Sequence, residues 1–102
     1  MAAVIDIGTM IMSSPEIRGG RPRVAGTGMT VMRIAGWYKL GLSPEEIADQ
    51  IGLSVAQIYA ALAYYHANRE AIEADLEAEA SLYDRLAEEN RRNKQQSQPS
   101  QP

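Results

Sequence analysis

Two helix-starting signatures separated by a glycine leave this chain few ways to fold. Ser43 is followed by Pro44 and, three residues on, by Glu46; Ser54 is followed three residues on by Gln57. In each pair the serine oxygen can accept an orphan amide proton of the first helical turn. The Glu or Gln side chain can reach back to the serine's own N–H, so each pair is a capping box. Pro44 adds a pre-set φ at the first helical position. Gly52 follows Ile51 and stops the first helix before the second begins. Two helices joined by a tight, glycine-containing turn pack at a steep angle. Such a crossing needs apolar contacts, a small residue at the closest approach and a glycine at the bend. Ile47 and Ile51 supply the inner face, Ala48 the small residue, Gly52 the bend and Leu53 a plug; Ile58 and Ala61 answer from the second helix. Pro44 to Ala63 is therefore predicted to be a helix-turn-helix.

The flanks complete a mainly α fold. Val4 to Met12 alternates around Gly8 and reads as a strand, ended by Ser13-Ser14-Pro15. The Gly/Pro-rich stretch Ile17 to Arg23 is incompatible with a helix, Val24-Ala25 is a second extended piece, and Gly26-Thr27-Gly28 is a turn. Thr30 can cap a first helix over about residues 31–40, closed by Gly41, with Val31, Ile34, Ala35 and Tyr38 on its buried face. On the third helix Val55, Ile58, Leu62 and Tyr65 make the apolar stripe. A break is expected at His66-Ala67-Asn68, with Asn68 capping a fourth helix to about Arg92. The expectation is a short N-terminal β-strand or strands, a three-helix unit containing the helix-turn-helix, and a C-terminal helix. Residues 1–92 form one domain, divided into a strand and arginine loop over 1–29 and helices over 30–92. Residues 93–102 read as a floppy tail.

Composition removes several classes of function. With no cysteine, disulfide scaffolds, zinc ribbons and cysteine nucleophiles are excluded, and one histidine, His66, cannot build a multi-histidine metal site. The longest apolar run, Ile58 to Tyr65, is far short of a membrane span. No secretory signal pattern opens the chain, so the cytoplasm is the expected address. Neither a nucleophile nor an acid–base pair suggests itself, and Gly26-Thr27-Gly28 lacks the lysine and spacing of a phosphate loop. No enzyme activity, cofactor or metal is expected.

Charge is uneven. Residues 1–42 carry five bases against two acids, and residues 43–102 carry five bases against eleven acids. The basic half suits phosphate; the acidic half suits another partner. Arg18, Arg21 and Arg23 sit two or three residues apart in extended chain and can line one side, with Thr27 beside them. The exposed start of the third helix is expected to present Ser54, Ala56, Gln57, Tyr59 and Ala60. Of these, Gln57 suits adenine, while Glu45, Glu46 and Asp49 on the preceding helix face phosphates unfavourably. A three-helix unit used for packing rather than for reading DNA therefore remains open.

The order Pro15-Glu16-Ile17-Arg18-Gly19-Gly20-Arg21-Pro22, Gly26-Thr27, Gly41-Leu42-Ser43-Pro44-Glu45-Glu46-Ile47, Leu53-Ser54 and Ala60 to Tyr65 resembles the bacterial domain-of-unknown-function family four hundred and thirty-three, over about residues 4–75. The resemblance implies a small antitoxin-like helix-turn-helix protein of a VapBC-type pair, whose partner is a PIN-like ribonuclease toxin. Two positions depart from the family pattern. Gly28 stands where the family usually has arginine, and Ile51-Gly52 stands where it often has Tyr-Pro.

Interface residues are expected on both sides of the helix-turn-helix. Met10 and Met12 lie on a strand whose one evident partner in the chain is Val24-Ala25, so it pairs either with that piece or with the same strand of a second copy, and Trp37 lies off the buried face of its helix. Ile72, Leu76, Tyr83 and Leu86 share one side of the fourth helix, with Glu79 interrupting an apolar seam. A homodimer follows, with operator DNA and a toxin as further partners. The alternative is a dimeric protein-binding module that binds no DNA.

Overall fold

The computed structural model describes residues 4–97. The chain is mainly helical, with a small two-stranded antiparallel sheet ahead of four helices. β1 (Ile11–Met12) pairs with β2 (Arg23–Val24), and α1 (Val31–Lys39), α2 (Pro44–Ile51), α3 (Val55–Ala67) and α4 (Arg69–Ser97) follow in order.

The helix starts are those the caps dictate. Thr30 Oγ1 accepts from Arg33 N at 3.2 Å and opens α1. Both capping boxes close: Ser43 Oγ takes the Glu46 amide at 3.1 Å while Glu46 Oε1 takes the Ser43 amide at 2.9 Å. The second closes likewise, with 3.1 Å from Gln57 N to Ser54 Oγ and 2.7 Å from Ser54 N to Gln57 Oε1. The hydrogen bond donated by the Ser43 backbone N–H holds the Glu46 carboxyl below its ordinary range. Gly52 caps α2 in the left-handed region, φ 70°, which glycine adopts without steric cost.

Ile34, Ile47, Ile58, Ala61 and Tyr65 are fully or almost fully buried and form one core with Val24 and Val31. Ile51 and Leu53 pack against its edge. α4 joins this core through Ile72 and Leu76. Leu76 Cδ2 packs over Gly36 of α1. A polar cluster fastens the same junction: Tyr65 donates its hydroxyl to Glu73 Oε2 at 2.6 Å, Arg69 Nε donates to it at 3.0 Å, and Lys39 Nζ lies 3.5 Å away.

Several local expectations are corrected. Only Ile11–Met12 of the expected Val4–Met12 strand pairs; Ile7–Thr9 is a 3-10 turn. Asp6 Oδ1 accepts from Gly8 N at 2.9 Å, and this local bond competes with a ladder. Of the two pairings open to this strand, the one within the chain is present. The register is Ile11 to Val24 and Met12 to Arg23, and Ala25 N donates to Met10 O at 2.8 Å. Arg18–Gly20 also forms a 3-10 turn, with Arg18, Gly19 and Gly20 all at positive φ. On α1 Tyr38 is exposed and Met32 is buried in its stead, while Trp37 packs on the core edge. Tyr38 is instead set edge-on to His66, with ring centroids 6.0 Å apart. On α3 Val55 is exposed and Ala60 buried.

Asn68 does not cap α4 with its side chain. Its Nδ2 donates back to Tyr64 O at 3.1 Å and closes α3, and only its carbonyl serves α4, accepting from Ile72 N. α4 runs to Ser97 rather than about Arg92. The segment after Arg92 has little to bury but contains no proline or glycine before Pro99, and Lys and Gln are good helix formers. The remainder of the expected tail, residues 98–102, lies outside the described residues.

Candidate interaction surface

The N-terminal loop arranges its three arginines differently. Arg23 sits on β2 and is 6 % exposed. Its Nε donates to Thr27 O at 3.1 Å and its Nη1 to Ser14 Oγ at 3.3 Å, so it fastens the glycine turn to the end of β1. The expectation that Arg23 faces phosphate is overturned, because desolvating a guanidinium requires such internal partners. Thr27 is likewise taken up by the turn: its hydroxyl donates to Val24 O at 2.9 Å and accepts from Met29 N at 3.1 Å. Arg18 and Arg21 are exposed. Arg18 is the only non-glycine residue at positive φ among the described residues, φ 52°, and its Nε donates to Gly28 O at 3.1 Å. That bond places its guanidinium over Gly28. Arg21 Nε lies 4.0 Å from Asp75 Oδ2 of α4.

Arg18, Arg21 and a residue missed at the level of sequence, Arg33 of α1, rim a groove of about 720 Å³. Trp37, Ile51 and Leu53 supply apolar lining, and Glu79 of α4 closes one side. Arg33 sits between Met32 and Ile34, both buried. Its outward position was legible from helical periodicity; its nearness to the loop arginines was not.

The start of α3 is mostly exposed, as a DNA-reading helix requires, but three of its candidate readers, Ser54, Gln57 and Tyr59, have other work. Ser54 and Gln57 bond each other's backbone in the capping box. Tyr59 donates its hydroxyl to Glu45 Oε1 at 2.9 Å and ties α3 to α2; the bond to this carboxylate raises the phenol pKa. Glu45 of α2 thus stands beside the face that would meet phosphate.

On α4 the four expected interface residues divide. Ile72 is buried and Leu76 half-buried against the body. Tyr83 and Leu86 are 65 % and 53 % exposed, and Leu82 beside them is 45 % exposed. From Ala80 to Lys94 every residue is exposed. The helix leaves the body after Glu79 and carries an apolar strip with it. No described helix is long and apolar enough to cross a membrane.

Comparison with known proteins gives two matches. The family "Protein of unknown function (DUF433)" matches residues 11–65, from β1 to the end of the α3 core contact. The crystal structure of a DUF433 member protein from Anabaena variabilis superposes with a TM-score of 0.62 and 26 % identity, covering 66 % of this chain and 67 % of that one. No curated protein matches.

Proposed function

The chain belongs to the DUF433 family of proteins of unknown function, and from that premise we propose that it is an antitoxin-like protein. In this reading the distal part of α4 captures and neutralises a PIN-like ribonuclease toxin, and the helix-turn-helix body, as a homodimer, binds operator DNA and represses its own operon. The observation that carries the reading is the apolar strip Leu82, Tyr83 and Leu86, displayed on a helix beyond the body that could have buried it. An amphipathic helix laid in a partner's groove is a common mode of capture. The DNA half rests on the closed helix-turn-helix and on Arg18, Arg21 and Arg33, exposed on one side of it.

A second reading, a dimeric protein-binding module with no DNA activity, is favoured by one specific feature. Ser54 and Gln57 spend their polar side chains on a capping box, and Glu45 stands beside Tyr59. Two experiments separate the readings. Co-expressed with an adjacent PIN-like reading frame, the chain should copurify with its product and relieve growth arrest, and Tyr83→Ala/Leu86→Ala should lose both; equal capture by that variant sinks the toxin assignment. On its own upstream DNA the chain should shift mobility at low salt. Replacing Arg18, Arg21 and Arg33 by alanine should flatten the salt dependence by about 0.9 per lost phosphate contact. If the unaltered chain gives no salt-sensitive shift, the module without DNA binding is the reading to keep.

A further inference from the structure

We infer that the groove rimmed by Arg18, Arg21 and Arg33 is the seat of the distal half of α4 from a second copy of this chain, each copy placing its helix on the other. The groove has two chemical requirements. Trp37, Ile51 and Leu53 call for apolar side chains, and three guanidinium groups on one rim call for carboxylates. The chain itself displays a segment with both.

On α4, Ile72, Leu76, Glu79, Tyr83 and Leu86 recur at spacings of four and three, the period of a helix seam that packs on one partner face. The first two residues of this seam cover the chain's own body. The last two continue the same face into solvent. Between Glu79 and Asn90 the helix carries four acids, Glu79, Asp84, Glu88 and Glu89, against one base, Arg85. An acidic, aromatic-bearing helix is thus complementary to the groove in charge and in apolarity.

The chain's own α4 already shows the pairing chemistry: Asp75 approaches Arg21 at 4.0 Å, and Glu79 lines the groove. Arg33, on the same rim, has no ion pair among the described residues. A two-fold axis beside the Glu79–Leu86 stretch would run two α4 helices antiparallel. Each exposed strip would then lie over the other copy's groove, an isologous contact that closes at two copies. This goes beyond the antitoxin reading and does not rest on it. A toxin and a second copy would compete for one strip, and operator DNA and the second copy's carboxylates would compete for the same three arginines.

The test uses the purified full-length chain alone, so its outcome is independent of toxin capture and of DNA. Sedimentation velocity from about 1 to 100 μM should show a dimer of twice the 11.2 kDa chain mass. Tyr83→Ala/Leu86→Ala should abolish it, with helicity retained by circular dichroism because both side chains are exposed. Arg33→Glu alone, and Asp84→Lys/Glu88→Lys/Glu89→Lys alone, should each weaken the dimer about tenfold or more, since like charges brought together across an interface are strongly unfavourable. Combining the two sets should restore it. A chain that is monomeric throughout that range overturns the inference. So does a dimer that survives the Tyr83/Leu86 change, or one whose two charge reversals fail to rescue each other.

Discussion

At the scale of the residue, the side chains that look most available for function are often the ones committed to structure. Arg23 is the clearest case. Buried with two side-chain bonds, it holds the Gly26–Gly28 turn against Ser14. Arg23→Ala should destabilise the fold by about 1–3 kcal/mol, the usual cost of leaving buried groups unpaired, whereas Arg33→Ala, exposed and unpaired among the described residues, should shift the melting temperature little. Equal melting temperatures for the two variants would contradict this assignment. Glu73 is another residue whose role is structural. The Tyr65 hydroxyl, then Arg69, stabilise its carboxylate and bring its pKa from an ordinary 4.5 down to about 2. A carboxyl whose folded-state pKa is depressed stabilises the fold fully above its unfolded pKa and loses that contribution as pH falls through the folded value. Tyr65→Phe should therefore be less stable than the unaltered chain at neutral pH. The difference should shrink as pH drops from 4.5 towards 2, the interval this shift defines. Denaturant midpoints measured across that interval check it; a difference independent of pH would mean Glu73 contributes nothing.

At the scale of the element, the caps decide where helices begin and the surroundings decide where they pack. Ser54→Ala removes the acceptor for the Gln57 amide and should cost about 0.5–2 kcal/mol. Gly52→Ala meets no neighbour within 4 Å, so only its φ of 70° opposes the substitution. The expected loss is about 1–2 kcal/mol, the penalty of a left-handed L-residue. Both values are read from thermal or denaturant unfolding, and a stabilised Gly52→Ala would show that the bend is not strained. For α4 the expectation is opposite in kind. Every described side chain beyond Glu79 is exposed up to Lys94, so ending the chain after Ala80 should remove helicity yet shift the melting temperature of the isolated monomer by no more than a few degrees. A large drop would mean the distal helix supports the body.

At the scale of the whole molecule, the shape follows from that division. The radius of gyration is 18.3 Å and the long axis 76 Å, whereas a compact domain of this length has a radius of about 13 Å. A 29-residue α4, about 43 Å long at 1.5 Å per residue, accounts for the excess. It is stiff enough to project, and its distal charges and apolar strip lie exposed beyond the body. X-ray scattering from Tyr83→Ala/Leu86→Ala, the variant expected to be monomeric, should give a radius near 18.3 Å. A value near that of the compact domain would show that α4 folds back.

By itself the sequence determined the parts whose causes are local. Thr30, Ser43 and Ser54 start three helices because each supplies an oxygen to an orphan amide within its own turn. Gly52 ends one because only glycine takes that φ freely. Ile47, Ile58 and Ala61 are buried because their spacing puts them on one face of each helix. What the tertiary structure alone decided is which chemically similar groups meet. Arg18, Arg21 and Arg23 are near neighbours in the chain, yet only Arg23 is buried, because its guanidinium finds Thr27 and Ser14 across a turn. Arg33 joins the other two from a different element. The register that sets Met12 opposite Arg23, and the path that brings Trp37 to the core edge, are carried by no periodicity. Glu79, an interruption when read along the helix, becomes one wall of a basic groove once α4 docks on α1. Local bonds act within a few residues and leave their mark in spacing; contacts between elements depend on how whole faces pack, and spacing carries no record of that.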